Sequence, residues 1–224
     1  MSTTVNSSTK LINIQTNAYP VYLTQVRQEN PNISFGSEPD EDQMLALGYA
    51  VVLQVDKPAG DVVTEGPPEG IDGEYIQNWI VRSFTPEELA ANLQVERDNR
   101  ITAVERLFVE TLDRGTPYTW PSGAVESIQL RDGDRANLTA IGARADRQIS
   151  RGVTEDPWLI FITYENNTQA LTPEQARDMT DFAYEAYLTL LNQRRTLKTE
   201  MENAKTMEAL PAVPEAFEQY TGQA

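Results

Sequence analysis

Cysteine and histidine are both missing from the 224 residues. Without thiols there are no disulfides, no thiolate zinc sites and no cysteine nucleophile. Without imidazole, the commonest general base, the usual transition-metal ligand and a Ser-His-Asp constellation are excluded as well. Catalysis would have to run on carboxylates, lysine or tyrosine. Basic residues are scarce: 18 Lys and Arg stand against 34 Asp and Glu, a net charge of -16. Such a field repels phosphate backbones and anionic headgroups within a Debye length, so neither nucleic acid nor a membrane surface is expected as a partner. No apolar run reaches signal-peptide or membrane-spanning length, which points to a chain made and kept in a soluble compartment. Glycine-rich phosphate loops, a nucleophile elbow and a basic aromatic patch are absent too.

What is present reads as an α+β chain of two domains: a small N-terminal, β-containing one, and a helix-rich one with a short β-hairpin, joined by a long helix. Residues 1–18 are polar and Ser/Thr-rich up to "LINIQ", a flexible arm ending in a short apolar run. Residues 19–84 form the small module. There a short helix is expected over Leu23 to Glu29. A second begins at Asp40, with Gln43 three residues on and Gly48 as the stop, and strands are expected from Tyr49 to Val55 and over "EYIQNWIVRSF". Residues 56–73, rich in proline and glycine, read as a long turn-rich connection.

Residues 85–210 form the helical domain. Thr85, Pro86 and Glu88 mark a helix start, Leu89, Leu93, Ile101, Val104, Phe108 and Leu112 its buried stripe, Arg97 a break in that stripe, and Gly115 its end. A hairpin follows around Pro121, Ser122 and Gly123, then a helix from about Arg135 to Ser150 that ends at Gly152. "PWLIFITY" is an apolar strand and "ENNT" a turn. Thr172, Pro173 and Gln175 then repeat the helix-start signal for a final helix to about Ala209. Its stripe, Met179, Phe182, Ala186, Leu190, Leu197, Met201 and Ala204, is interrupted at Gln193 and Arg194. Its length suggests that part of it packs on another chain. Residues 211–224 cannot continue a helix through Pro211 and Pro214, yet carry Phe217 and Tyr220, as an extended docking peptide would.

Three groups of residues invite a chemical reading. In "LRDGDRANLTAIGARA", Asp132 and Asp134 have the first spacing of a calcium loop, but positions five, six and twelve are Ala136, Asn137 and Ala143. Asp132 and Gly133 then make a turn and Asp134 caps the next helix. "EPDEDQ" and the pair Glu87 and Glu88 supply carboxylates for acid and base roles, or simply solvated helix starts. Tyr118, Trp120, Trp158, Phe161 and Tyr164 would suit a carbohydrate platform, or a sheet packing on helices. The basic run from Arg194 to Lys198 is expected to lie along a helix. Neither a cofactor nor a metal is expected, and no enzyme.

The segments "RDNRITAVERLFVE", "YTW", "IQLRDGDRANLTA", "PWLIFITYENNTQALTPEQ" and "RRTLKTEMENA", from about Arg97 to Leu210, resemble an uncharacterised domain family of bacteriophage tail and tail-fibre-associated proteins. "YPVYLTQVRQENPNISF", "LALGYAVV" and "IQNWIVRSFTPEELA" look like the companion module that precedes it, so the likeness spans residues 19 to 210. The resemblance implies a virion or assembly role and transfers no catalytic residue. It leads to the expectation of a structural tail protein, made in the host cytoplasm and located in the virion, that joins fibres to the baseplate or to each other. The alternative is a fibre-assembly chaperone not retained in the particle; a carboxylate glycosidase ranks third. Expected partners are fibre and baseplate proteins and further copies of the chain. The partner-binding residues are expected to be Leu11, Ile12 and Ile14 of the arm, Leu197 and Met201 of the last helix, and Phe217 and Tyr220 of the tail, with both terminal segments removable from a folded core.

Overall fold

Helices and strands are both present in the computed structural model, which describes residues 4–222 and is α+β as expected. The chain divides into two compact units, one up to Glu88 and one from Leu89 onward. In the first unit β1 (Leu11–Asn13), β2 (Tyr49–Leu53), β3 (Val62–Ile71) and β4 (Glu74–Arg82) form a sheet of order β1-β2-β4-β3. The β2–β4 contact is parallel and the other two are antiparallel. Two short helices, α1 (Leu23–Glu29) and α2 (Glu41–Ala46), bring Leu23, Val26 and Met44 onto Leu11, Tyr49 and Val51. The start of α2 is a full capping box: the Asp40 carboxylate accepts from the Gln43 amide, and the Gln43 side chain accepts from the Asp40 amide.

Two expectations for this unit are corrected. The arm over residues 1–18 is part of the sheet and core where it is described: Val5 and Leu11 are fully buried, and Leu11 to Asn13 pair with Val51 to Tyr49. Its apolar residues are too few to stand alone but enough to complete the core under α1. The glycine- and proline-rich segment is mostly strand, because β3 runs through it. Pro67 and Pro68, which lack an amide hydrogen, sit where the register slips between Gly66 and Glu69, on the outer strand of the sheet. A bulge at an edge is where proline removes no ladder bond.

The second unit is built on long helices. Counting from Pro86, α3 (Pro86–Arg114) starts with the expected reciprocal bonds, Glu88 amide to Thr85 hydroxyl and Thr85 amide to Glu88 carboxylate. After it come β5 (Thr116–Thr119) and β6 (Val125–Ile128), α4 (Asp132–Ile149), β7 (Leu159–Ile162), β8 (Thr168–Leu171) and α5 (Pro173–Asn203). The core joins Val104, Phe108 and Leu112 of α3, Leu138 and Ala145 of α4, and Met179, Ala183, Ala186 and Leu190 of α5 around Trp120, Ile128 and Leu171. Alanines let α5 approach α4, and at the contact Gly142 faces Thr180 so closely that a Cβ would lie 2.8 Å from its hydroxyl.

Four boundaries differ from the sequence reading. Leu89 is exposed, so the buried stripe of α3 starts at Leu93. Arg131, not Asp134, stands at the N-cap of α4, and the two aspartates occupy its first turn. "TQAL" is the strand β8, paired with β7, where the sequence showed only a turn leading to a helix. Finally, α5 ends at Asn203 rather than near Ala209; Ala204 turns extended, and its carbonyl has a donor from another helix.

The joint between α3 and β5 admits only glycine. Gly115 has φ +79, and a Cβ there would sit 2.3 Å from the Ile128 carbonyl oxygen. Backbone atoms on both sides are tied into the β5–β6 hairpin and cannot move aside. Gly115→Ala is therefore expected to destabilise the second unit by at least about 2 kcal/mol, measured as a lower urea midpoint with unchanged slope.

Candidate interaction surface

The residues expected to meet partners are mostly engaged within the chain. Leu11 and Ile12 are buried on β1, Met201 and Phe217 are buried in the core of the second unit, and Leu197 and Tyr220 pack against that core. Only Ile14, just beyond β1, is exposed. The reason is physical: an apolar stripe states that surface is covered, and says nothing about which chain covers it. The length of α5 is accounted for in the same way, since every residue of its expected stripe packs in or against this one core.

The polar interruptions of the two long helices hold the tail. Arg97 donates from Nε to the Met201 carbonyl at 3.0 Å and from Nη2 to the Ala204 carbonyl at 2.8 Å, satisfying the open end of α5. Arg100 donates to the carbonyls of Leu210 and Pro211. Gln193 exchanges two 2.9 Å bonds with the backbone of Glu218. Between these points Leu210 and Phe217 enter the core, and Phe217 meets Phe108 edge-on with centroids 6.3 Å apart. Tyr220 continues an aromatic chain through Phe182, Tyr118 and Trp120 to Phe161. The tail docks by its aromatics as expected, but on its own unit.

Arg194, the other interruption, forms a bidentate pair with Glu105 at 2.7 Å for both bonds; Lys198 joins the same carboxylate, and the Arg194 guanidinium lies over the Phe108 ring. The arginine's hydrogen bonds, outweighing partial burial, hold the Glu105 carboxyl below the usual range.

Other carboxylates are likewise engaged in structure. Glu88 is held down to about 2, first by the Arg82 guanidinium and then by the Thr85 amide. Asp134 pairs with Arg131 at 2.7 Å and Asp132 pairs with Arg135, so the two aspartates of the calcium-like stretch each answer an arginine. Among the described residues no three acidic side chains converge as a metal site would require. A carboxylate that the sequence did not single out, Glu65 on β3, accepts from Lys10, Tyr19 and Gln77. Burial pushes its pKa up, but these three donors more than offset that and leave it lowered. Reading residues 56–73 as a connection hid Glu65, although the β-branched run "VVT" just before it was the available strand signal.

Of the aromatics, Trp120 is buried, Tyr118 and Phe161 pack beside it, and Trp158 lies under the guanidinium of Arg144. These are contacts of sheet and helix. Tyr164 differs. It follows β7 in the turn, and side chains alternate up to it: Leu159 and Phe161 pack on the core and Thr163 is buried, while Ile160, Ile162 and Tyr164 are 72%, 62% and 50% exposed. A groove of about 490 Å³ runs between β7 and one face of α4, carrying Asn137, Ile141 and Arg144. A continuous apolar strand is normally covered on both faces. Among the described residues, the Ile160 and Ile162 face of β7 is mostly uncovered.

Two outcomes are expected from the tail and its clamp. Phe217→Ala is expected to destabilise the second unit by about 3–5 kcal/mol, the range for a buried aromatic, and removal of residues 211–224 should lower the thermal midpoint further. The earlier expectation, a core indifferent to loss of the tail, would have required Phe217 at the surface. Because pairing depresses the Glu105 pKa, its stabilisation is complete above the ordinary glutamate range and is lost as pH falls through the depressed value. Urea midpoints of Glu105→Gln and the parent protein should therefore differ most near neutrality and converge in acid.

No protein-family model, curated protein or solved structure matches the chain.

Proposed function

We propose that this chain is a non-enzymatic structural protein of a bacteriophage tail, joining tail fibres to the baseplate or fibre segments to each other through protein–protein contacts. The tail assignment rests on the resemblance of residues 19 to 210 to phage tail-associated modules. The observation that favours a protein-binding role is the exposed apolar patch of Ile160 and Ile162, on a strand whose other face is in the core, with Tyr164 in the turn that follows. Single exposed apolar residues are ordinary on protein surfaces, but two alternate residues of one strand and a tyrosine in the turn after it, all beside a groove, favour a surface that another chain covers. The carboxylates described above are engaged with arginines, amides and hydroxyls, which supports a scaffold role for them. Fibre and baseplate proteins are the proposed partners, and the virion tail the proposed location. Self-association has less support than the sequence suggested, since α5 finds its apolar contacts at home.

Protein analysis of purified particles of the phage that encodes the chain tests this. A stoichiometric band that disassembles with the tail fraction is the expected result. A chain expressed in infected cells but missing from particles would overturn the structural reading in favour of an assembly chaperone.

A further inference from the structure

We propose that the free edge of β7 is a strand-addition site that accepts an extended, mainly apolar segment of a partner protein, with a carboxylate at its Arg144 end. The proposal rests on the protein-binding role above and names the kind of partner. The hairpin sets the phase of the backbone. Thr163 donates its amide to the Asn167 carbonyl at 2.9 Å, and the β7–β8 register pairs Phe161 with Gln169 and Leu159 with Leu171. In an antiparallel pair, residues bonded to the neighbour alternate with residues that turn their N–H and C=O away. Thr163, Phe161 and Leu159 are therefore the positions bonded to β8, and Ile160 and Ile162 turn theirs to the opposite edge.

Among the described residues no strand pairs with that edge, since β7 and β8 form a sheet of two. Its far end is closed: the Tyr164 amide donates to the Ser127 carbonyl, and the Glu165 carboxylate accepts from the Ser127 amide. From there back towards Trp158 the edge borders the groove whose other wall is α4. Residues 134, 137, 138, 141 and 144 line that wall at the spacing of one helix face. A strand edge opposed by a helix face is the geometry in which an added strand makes main-chain bonds on one side and buries alternate side chains on the other. Exposed edges are usually blunted by charge, proline or brevity. Here "LIFI" is short but carries neither charge nor proline.

Charge and size select the occupant. Asp134 is neutralised by Arg131, whereas Arg144 has no carboxylate within 4.0 Å among the described residues and lies over the Trp158 ring. In a chain of net charge -16 the groove thus presents one uncompensated cation. A second copy fits poorly: a stable dimer needs about 20–30 residues a side, and two copies would bring together two strongly negative chains. An extended segment that ends on an acid answers both the edge and Arg144.

The full chain is titrated with a labelled, end-blocked peptide of sequence Glu-Val-Thr-Val-Thr-Val, followed by fluorescence anisotropy and by amide exchange at Ile160 and Ile162. Saturable one-to-one binding is expected, with both amides exchanging at least about tenfold more slowly. The double variant Ile160→Lys, Ile162→Lys changes exposed side chains, so its circular dichroism and thermal midpoint should match the parent while binding falls about tenfold or more. Arg144→Glu should weaken this peptide and not its lysine-led analogue. No binding, equal binding of a peptide N-methylated at alternate amides, or unchanged exchange at Ile160 and Ile162 would overturn the proposal. Protection of the same amides by dimerisation without peptide would overturn it in favour of a second copy. Failure here with the chain present in particles removes the groove alone; absence from particles with peptide binding intact removes only the tail reading.

Discussion

The last carbonyls of α5 have no partner within their own helix, and Arg97 of α3 supplies it. Much of the second unit depends on that one guanidinium position. It ends α5 at Asn203, turns the chain back, and lets Arg100 take the carbonyls of Leu210 and Pro211 further along the same helix face. With the segment beyond Pro211 so positioned, Phe217 reaches Phe108, and Tyr220 joins the aromatic chain that runs to the hairpin β5–β6 and on to β7. Guanidinium groups suit this work because their donors are planar, several and always charged, and because their stems lie along apolar surface without desolvating the head.

The excess of acid is organised by the same residues. Glu105, Glu88, Asp132 and Asp134 each lie against an arginine, and Glu65 draws a lysine, a tyrosine and a glutamine around itself within the first unit. The Glu105 carboxylate, held ionised and oriented by Arg194 and Lys198, ties α3 to α5. The Glu65 group ties the N-terminal segment, through Lys10 and Tyr19, to β3 at the opposite edge of the sheet.

Against that closed interior, one side of β7 stands open. Its inward side chains complete the core with Trp120 and Leu171, while Ile160 and Ile162 are mostly exposed and border the groove beside α4. The conflict between a strand apolar on both faces and a fold that covers only one is local. Such conflicts between pattern and environment tend to lie where a protein does its work.

Much of this was legible in residues alone. Thr85, Asp40 and Thr172 with their partners three residues on specified helix starts, because capping satisfies nearby amides and needs only the local chain. Gly115 and Gly152 marked the ends of α3 and α4 because a left-handed residue is a local demand on sequence. The apolar spacings of α3, α4 and α5 likewise identified most core positions. What only the tertiary structure decided was who covers whom. Arg97, Arg194 and Gln193 looked like gaps in two stripes until the helices were laid together and the tail placed between them. Pro67 and Pro68 looked like loop until they fell on a bulge at a sheet edge, and Leu11 and Phe217 looked like docking residues until their pockets proved to lie in the same chain. Propensity, capping and periodicity act over a few residues and can be read there; the identity of a buried residue's neighbour depends on contacts between segments far apart in sequence, which no local pattern encodes.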